Sequence, residues 1–89
     1  MKVRNIYTPK GDFGGYIFEC PGCGMSHVFD ERWKFNGDYE KPTFSPSLLA
    51  RWPENNVCHF FVQEGKIRFL NDCTHELKGK TVELVEIAK

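Results

Sequence analysis

"VCHFFVQEGKIRFLNDC", residues 57–73, contains the turn on which the reading of this fold depends. Glu64-Gly65 lies between Val57–Gln63 and Lys66–Asn71, two runs rich in β-branched and aromatic residues, and the pattern reads as a β-hairpin. With a two-residue loop, Gln63 pairs with Lys66 and Phe60 with Phe69. Asn71 then faces Cys58, and Cys73 lies one diagonal step beyond. Side chains alternate across a strand, so Cys58 and Cys73 share one face at the open end of the hairpin. His59 and Asp72 share the other face. One hairpin therefore offers a thiol pair on one side and a histidine–carboxylate pair on the other.

The thiol pair needs partners, and "FECPGCGMSHVF", residues 18–29, supplies them. Cys20 and Cys23 flank Pro21-Gly22, and Gly24 follows, which gives a tight knuckle. Gly15–Cys20 and His27–Asp30 flank it and read as a second hairpin. Zinc takes four thiolate or imidazole ligands in a tetrahedron. The expected ligands are Cys20, Cys23, Cys58 and Cys73, with His27 and His75 in reserve. A centre closed by four thiolates leaves no open position, so the expected cofactor is a structural Zn2+. The competing readings are a disulfide or a redox Cys-x-x-Cys. A thioredoxin-like motif opens a helix after a strand, whereas Pro21-Gly22 lies between two strand-like runs.

A chain of 89 residues holds a single domain, residues 1–89. Its core alone supplies only about 3–5 kcal/mol, which is why small domains use metal or disulfide staples. Lys+Arg 12 balance Asp+Glu 12 without a basic run, so nucleic-acid binding through counterion release is not expected. No membrane partner is expected, because no apolar run approaches the length of a spanning helix. The first residues lack the apolar core of a signal peptide, and the expected location is a reducing cytoplasm, where paired cysteines more often bind metal.

Trp33–Phe35 leads into Asn36-Gly37, a two-residue turn signal, and Lys41–Trp52 is extended because its prolines push preceding residues out of the helical region. One helical turn is expected after Cys73, stopped at Gly79, then an edge strand at Thr81–Ile87. The fold class is mostly β: a small single domain of short antiparallel strands with a zinc-ribbon-like knuckle and one short helical turn.

His59 and Asp72 on one face suit a base and the group that orients it. Thr43, Ser45 and Ser47 share one parity in the proline-stiffened run, and each is a candidate nucleophile. The plain alternatives are a packed core histidine, turn-forming hydroxyls and a capping aspartate. Trp33 and Trp52 are candidates either for the core or for lining a groove.

Ordered motifs run through the chain: "CPGCG", "WKFNGD", "PTFSPSLL", "CHFF", "GKIRFLNDCTH" and "LKGKTVEL". From about Phe18 to Leu84 they resemble a family of small phage and bacterial proteins formerly of unknown function. The resemblance extends to the BubE-like proteins of bacterial ubiquitin-like operons, which are regarded as serine peptidases acting on ubiquitin-like proteins. Thr43, Pro46 and Ser47 match that family's threonine and proline-serine run, and Cys58, His59 and Phe60 match its cysteine and His-Phe pair. The resemblance implies Ser47 as nucleophile and His59 as base. Asp72 is the chosen third member, with a dyad oriented by a backbone group as the alternative. The chain departs from the larger members in two places: Cys58 directly adjoins His59 with no serine before it, and the "DCTH" block belongs to the phage branch.

The leading expectation is a zinc-stabilised serine peptidase, deubiquitinase-like, of the host cytoplasm if phage-encoded. Its substrate is a protein or peptide such as the tail of a ubiquitin-like protein, with backbone N–H groups of Leu48 and Leu49 near the oxyanion. The alternative is a non-catalytic zinc-ribbon adaptor of phage origin that binds a protein. A catalytic metal held by His27, His75 and a cysteine pair ranks last. Geometry discriminates among them: a peptidase needs Ser47 Oγ within reach of a His59 ring nitrogen.

Overall fold

The computed structural model describes residues 1–87 and is built from strands and turns, with no helix among them. β1 (Arg4–Tyr7), β2 (Phe13–Glu19) and β3 (Ser26–Phe29) form one antiparallel sheet. β4 (Lys34–Phe35), β5 (Phe44–Trp52), β6 (Asn56–Gln63), β7 (Lys66–Phe69) and β8 (Thr81–Glu83) form the second, also antiparallel. Within each sheet every strand pairs with its neighbour in sequence, so both sheets form without a crossover.

The knuckle hairpin forms as expected, with Glu19 opposite Ser26 and the cysteines in the connection. The 57–73 hairpin keeps the expected register, Gln63 to Lys66 and Phe60 to Phe69. Glu64 (φ 48°) and Gly65 (φ 80°) both take the left-handed backbone that a primed two-residue turn requires.

Alternation places the core. Cys58, Phe60 and Val62 of β6 are buried, while His59 and Phe61 between them are half-buried. Ile67 and Phe69 continue the inner face on β7, and Phe18 and Phe29 of the first sheet join the same buried cluster. Phe29 stacks on Phe44 with ring centroids 4.1 Å apart, and Phe60 stands edge-on to Phe18 at 5.6 Å. Phe60 touches rings from both sheets, so Phe60→Ala is expected to cost about 3–5 kcal/mol in urea unfolding.

Three local expectations are corrected. Asn36-Gly37 does not make a two-residue hairpin turn, because Phe35 pairs with Phe44 and residues 36–43 form the connection. The Asn36 side chain organises that loop: its Oδ1 accepts from the N–H groups of Asp38 and Thr43, and its Nδ2 donates to Lys41 O. The helical turn after Cys73 is absent. His75 Nδ1 takes the Leu77 N–H, and two separate turns, Lys78 N to His75 O and Lys80 N to Leu77 O, return the chain to β8. The final strand is an edge strand, as expected, but it spans only Thr81–Glu83.

Candidate functional site

Ser47, His59 and Asp72 come together on the outer face of the second sheet. β5 pairs with β6 so that Leu49 lies opposite His59, and Ser47, two residues earlier, is diagonal to it on the same face. The ladder shifts between Phe44 and Leu48, where Ser45, Pro46 and Ser47 of β5 stand against Phe61 alone. Such a bulge re-aims side chains, and Pro46 gives up no ladder bond there because it has no N–H. Trp33 Nε1–H donates to Ser47 O at 3.3 Å and so ties the nucleophile candidate's backbone to the core.

Asp72 reaches His59 through a departure from the regular ladder. Leu70 N–H donates to His59 O at 2.9 Å, and the chain then loops outward. It returns at Thr74, whose N–H donates to Val57 O at 3.0 Å and whose Oγ1 accepts from Val57 N–H at 2.9 Å. Asn71 is therefore not placed opposite Cys58 by a continuing ladder, and Asn71-Asp72 form an outward excursion instead. Asp72 carries its carboxylate to His59 Nδ1, 3.0 Å from Oδ2 and 3.2 Å from Oδ1.

On the far side of the ring, His59 Nε2 lies 3.3 Å from Ser47 Oγ. The three groups make one hydrogen-bonded chain in the order carboxylate, imidazole, hydroxyl. A carboxylate on Nδ1 favours the tautomer that carries its proton there, leaving Nε2 free to accept from Ser47. The His59 side chain is 23% exposed and that of Asp72 54%, so the imidazole is partly shielded while the carboxylate meets water. If the three groups act together as nucleophile, base and orienting carboxylate, Asp72→Asn, which supplies an amide donor to Nδ1, is expected to lower kcat on the order of 10²- to 10³-fold. That is less than at a buried site, because water screens the pair. The measurement is steady-state cleavage with the fold checked by circular dichroism.

Of the two backbone N–H groups considered for an oxyanion, that of Leu48 belongs to the ladder. His59 directs its N–H and C=O toward the β7 side, so Leu48 and Phe60 are the pair that exchange hydrogen bonds.

The inner side of the same hairpin carries the metal-type ligands. Cys20, Cys23, His27 and Cys58 offer ligand atoms that all lie within 4.8 Å of one another, and these residues could hold a metal ion. The Cys20 and Cys58 sulfurs are 3.8 Å apart, which matches the about 3.8 Å edge of a tetrahedron with zinc–sulfur bonds near 2.3 Å. Cys23 Sγ lies 3.2 Å from His27 Nε2. A hydrogen bond from Cys58 holds the Cys20 thiol well below its ordinary range, and the same contact, with burial, pushes Cys58 up. Packed thiols that resist joint ionisation in this way suit a cation that would neutralise them.

Cys73 falls in a second group with Cys58 and His75 rather than in the first. Its sulfur bridges the His59 backbone, 3.2 Å from N and 3.1 Å from O. His75 Nδ1 accepts the Leu77 N–H, which in a neutral imidazole puts the ring proton on Nε2, 3.4 Å from Cys58 Sγ. His75 is therefore placed to donate to the Cys58 sulfur rather than to ligate through that nitrogen. In the first group, His27 stands in the fourth place that was expected for Cys73. The signal for it was in the sequence: His27 has the parity of Phe29, and both are buried on β3. Trp52 lies at this end of the molecule, lining a depression with Gly22, Cys23, Met25 and His75. Trp33 packs edge-on against Phe29 at 5.5 Å.

A family model described as BubE, bacterial ubiquitination-like system serine protease, matches residues 1–70 of the 89. No curated protein and no solved structure matches the chain. Among the described residues, no helix is long and apolar enough to cross a membrane.

Proposed function

The chain belongs to the BubE family, bacterial ubiquitination-like system serine proteases, and on that premise we propose that it is a zinc-stabilised serine peptidase. The observation that carries the reading is the Ser47–His59–Asp72 chain, with 3.3 Å from Oγ to Nε2 and 3.0 Å from Nδ1 to the carboxylate. Ser47 Oγ attacks the carbonyl carbon of the scissile peptide, and its proton passes to His59 Nε2. Asp72 holds the imidazolium through Nδ1–H. His59 then returns the proton to the leaving amine, and water repeats the sequence on the acyl-enzyme.

Zinc, held by Cys20, Cys23, His27 and Cys58, has a structural role in this reading. Thiolates and imidazole are zinc's usual structural donors, these four lie within 4.8 Å of one another, and the Cys20–Cys58 separation matches a tetrahedral edge. The metal would fix the knuckle to β6 and so hold the strand whose outer face carries His59. The family description supports a protein substrate within a ubiquitin-like system, and the tail of a ubiquitin-like protein is the proposed substrate. A reducing cytoplasm is the compartment this thiol cluster suits.

Labelling with a fluorophosphonate probe, mapped by mass spectrometry, tests the nucleophile. Modification of Ser47 is expected in the wild type and its loss in His59→Ala. Labelling at another serine, or none with metal-loaded folded protein, would defeat the assignment.

A further inference from the structure

The outer edge of β5 is open beside Ser47. β4 pairs only with Phe44 and Ser45. Among the described residues, no backbone group bonds to that edge between Ser47 and Trp52.

Which groups face the opening follows from the other side of the sheet. His59 gives its N–H to Cys73 Sγ and receives Leu70 N–H at its carbonyl. Val57 gives its N–H to Thr74 Oγ1 and receives Thr74 N–H. Both residues thus turn their backbone groups away from β5. Their partners on β5 are Leu49 and Arg51. An antiparallel ladder alternates pairs that exchange both hydrogen bonds with pairs that exchange none. Leu49–His59 and Arg51–Val57 are of the second kind, so Leu49 and Arg51 point their own N–H and C=O at the open edge. Ser47 follows the same alternation, and its carbonyl is already taken by Trp33. The edge therefore offers two donors and two acceptors and is capped beside the nucleophile.

We propose that this edge seats the substrate: an extended peptide adds antiparallel to β5, exchanges backbone hydrogen bonds with Leu49 and Arg51, and passes Ser47. The proposal rests on the peptidase reading and assigns its substrate site. Natural edges are normally blunted or covered, and a ladder of free groups ending at a serine is a template for an added strand. The antiparallel sense continues that of β4 on the same edge, and both outward groups of Leu49 then form a reciprocal pair with one facing residue.

Side chains on the same face set the preference. Leu49 is 45% exposed and apolar, and Arg51 is exposed and cationic. Cross-strand neighbours pair like with like for apolar groups and opposite with opposite for charges. The Trp33 indole stands at the edge through its bond to Ser47 O, which favours a small residue opposite Ser47. An antiparallel occupant thus carries a small residue at Ser47, an apolar one two positions earlier and an acidic one four positions earlier.

The test uses metal-loaded protein and a synthetic peptide reading glutamate, alanine, leucine, alanine, glycine, glycine, alanine. With Ser47→Ala, added peptide is expected to slow amide exchange at Leu49 and Arg51 in NMR. With the wild type, N-methylation of the peptide's leucine should reduce kcat/KM at least about tenfold. Exchanging glutamate for lysine should reduce it about two- to fivefold, and Arg51→Glu should reverse that preference. Protection at Leu49 and Arg51 without cleavage by the wild type would keep the strand site and defeat the peptidase reading. Cleavage indifferent to N-methylation, with no protection, would overturn the strand site and leave the peptidase standing. Neither protection nor cleavage would overturn both.

Discussion

Ser47→Ala is expected to lower kcat for a ubiquitin-like fusion substrate on the order of 10⁶-fold, leaving the fold and the bound metal unchanged. The size follows from what the side chain does in the proposed reaction. Ser47 Oγ is the atom that bonds to substrate, and without it His59 has no hydroxyl to activate. Residues that act as one unit fail together, so His59→Ala should come close to the same loss and the double variant should add little. Ser47 is half-buried on a sheet face, and removing its hydroxyl opens no core cavity, so the unfolding midpoint should barely move. The decisive comparison is cleavage against zinc content, both measured on one preparation. Full cleavage by Ser47→Ala would remove Ser47 from the reaction and require another nucleophile, whereas no cleavage by folded wild type would return the chain to the adaptor reading. Loss of cleavage with loss of zinc would mean that the variant had damaged the scaffold instead.

Removing the zinc proposed for the group of Cys20, Cys23, His27 and Cys58 should unfold the domain. A core of this size supplies about 3–5 kcal/mol, whereas structural zinc contributes about 10–16 kcal/mol of apparent binding free energy in small metal domains. Cys58→Ser should act like chelation, because Cys58 is fully buried and its sulfur stands in both ligand groups. Far-UV circular dichroism and NMR dispersion would report the loss. Two further variants separate the ligand sets. His27→Ala should lose most of its zinc, while Cys73→Ser should keep one equivalent, because that sulfur is engaged with the His59 backbone. The opposite result would restore the four-thiolate set of Cys20, Cys23, Cys58 and Cys73. Acid should work in the same direction as chelation: the ligands bind as thiolates and neutral imidazole, so falling pH protonates them, releases metal and costs stability.

Local sequence rules carried far in this chain. Glu64-Gly65 set the register of β6 and β7, since a two-residue primed turn leaves one way to pair the flanking strands. Register then set the faces, which is why Cys58 and His59 lie on opposite sides of β6. The same rules failed where a side chain competed with the backbone. Asn36 made a longer loop in place of a tight turn, and His75 broke the expected helical turn by taking Leu77 N–H.

By itself the sequence determined the antiparallel hairpins, the two-faced strand β6 and the chemical types available on each face. Those properties depend on a period of two and on turn chemistry, both of which act over a few residues. The tertiary structure decided which thiols and imidazoles gather and what reaches His59. The outward excursion of Asn71-Asp72 brought a carboxylate to His59 Nδ1 and set Cys73 against the His59 backbone. The packing of β3 against β6 brought His27 beside Cys23 and Cys58. The bulge at Ser45–Ser47 aimed one of three candidate hydroxyls at His59. Bulges and sheet packing depend on side chains far apart in the chain, so their outcome is an ångström-scale distance that no spacing encodes.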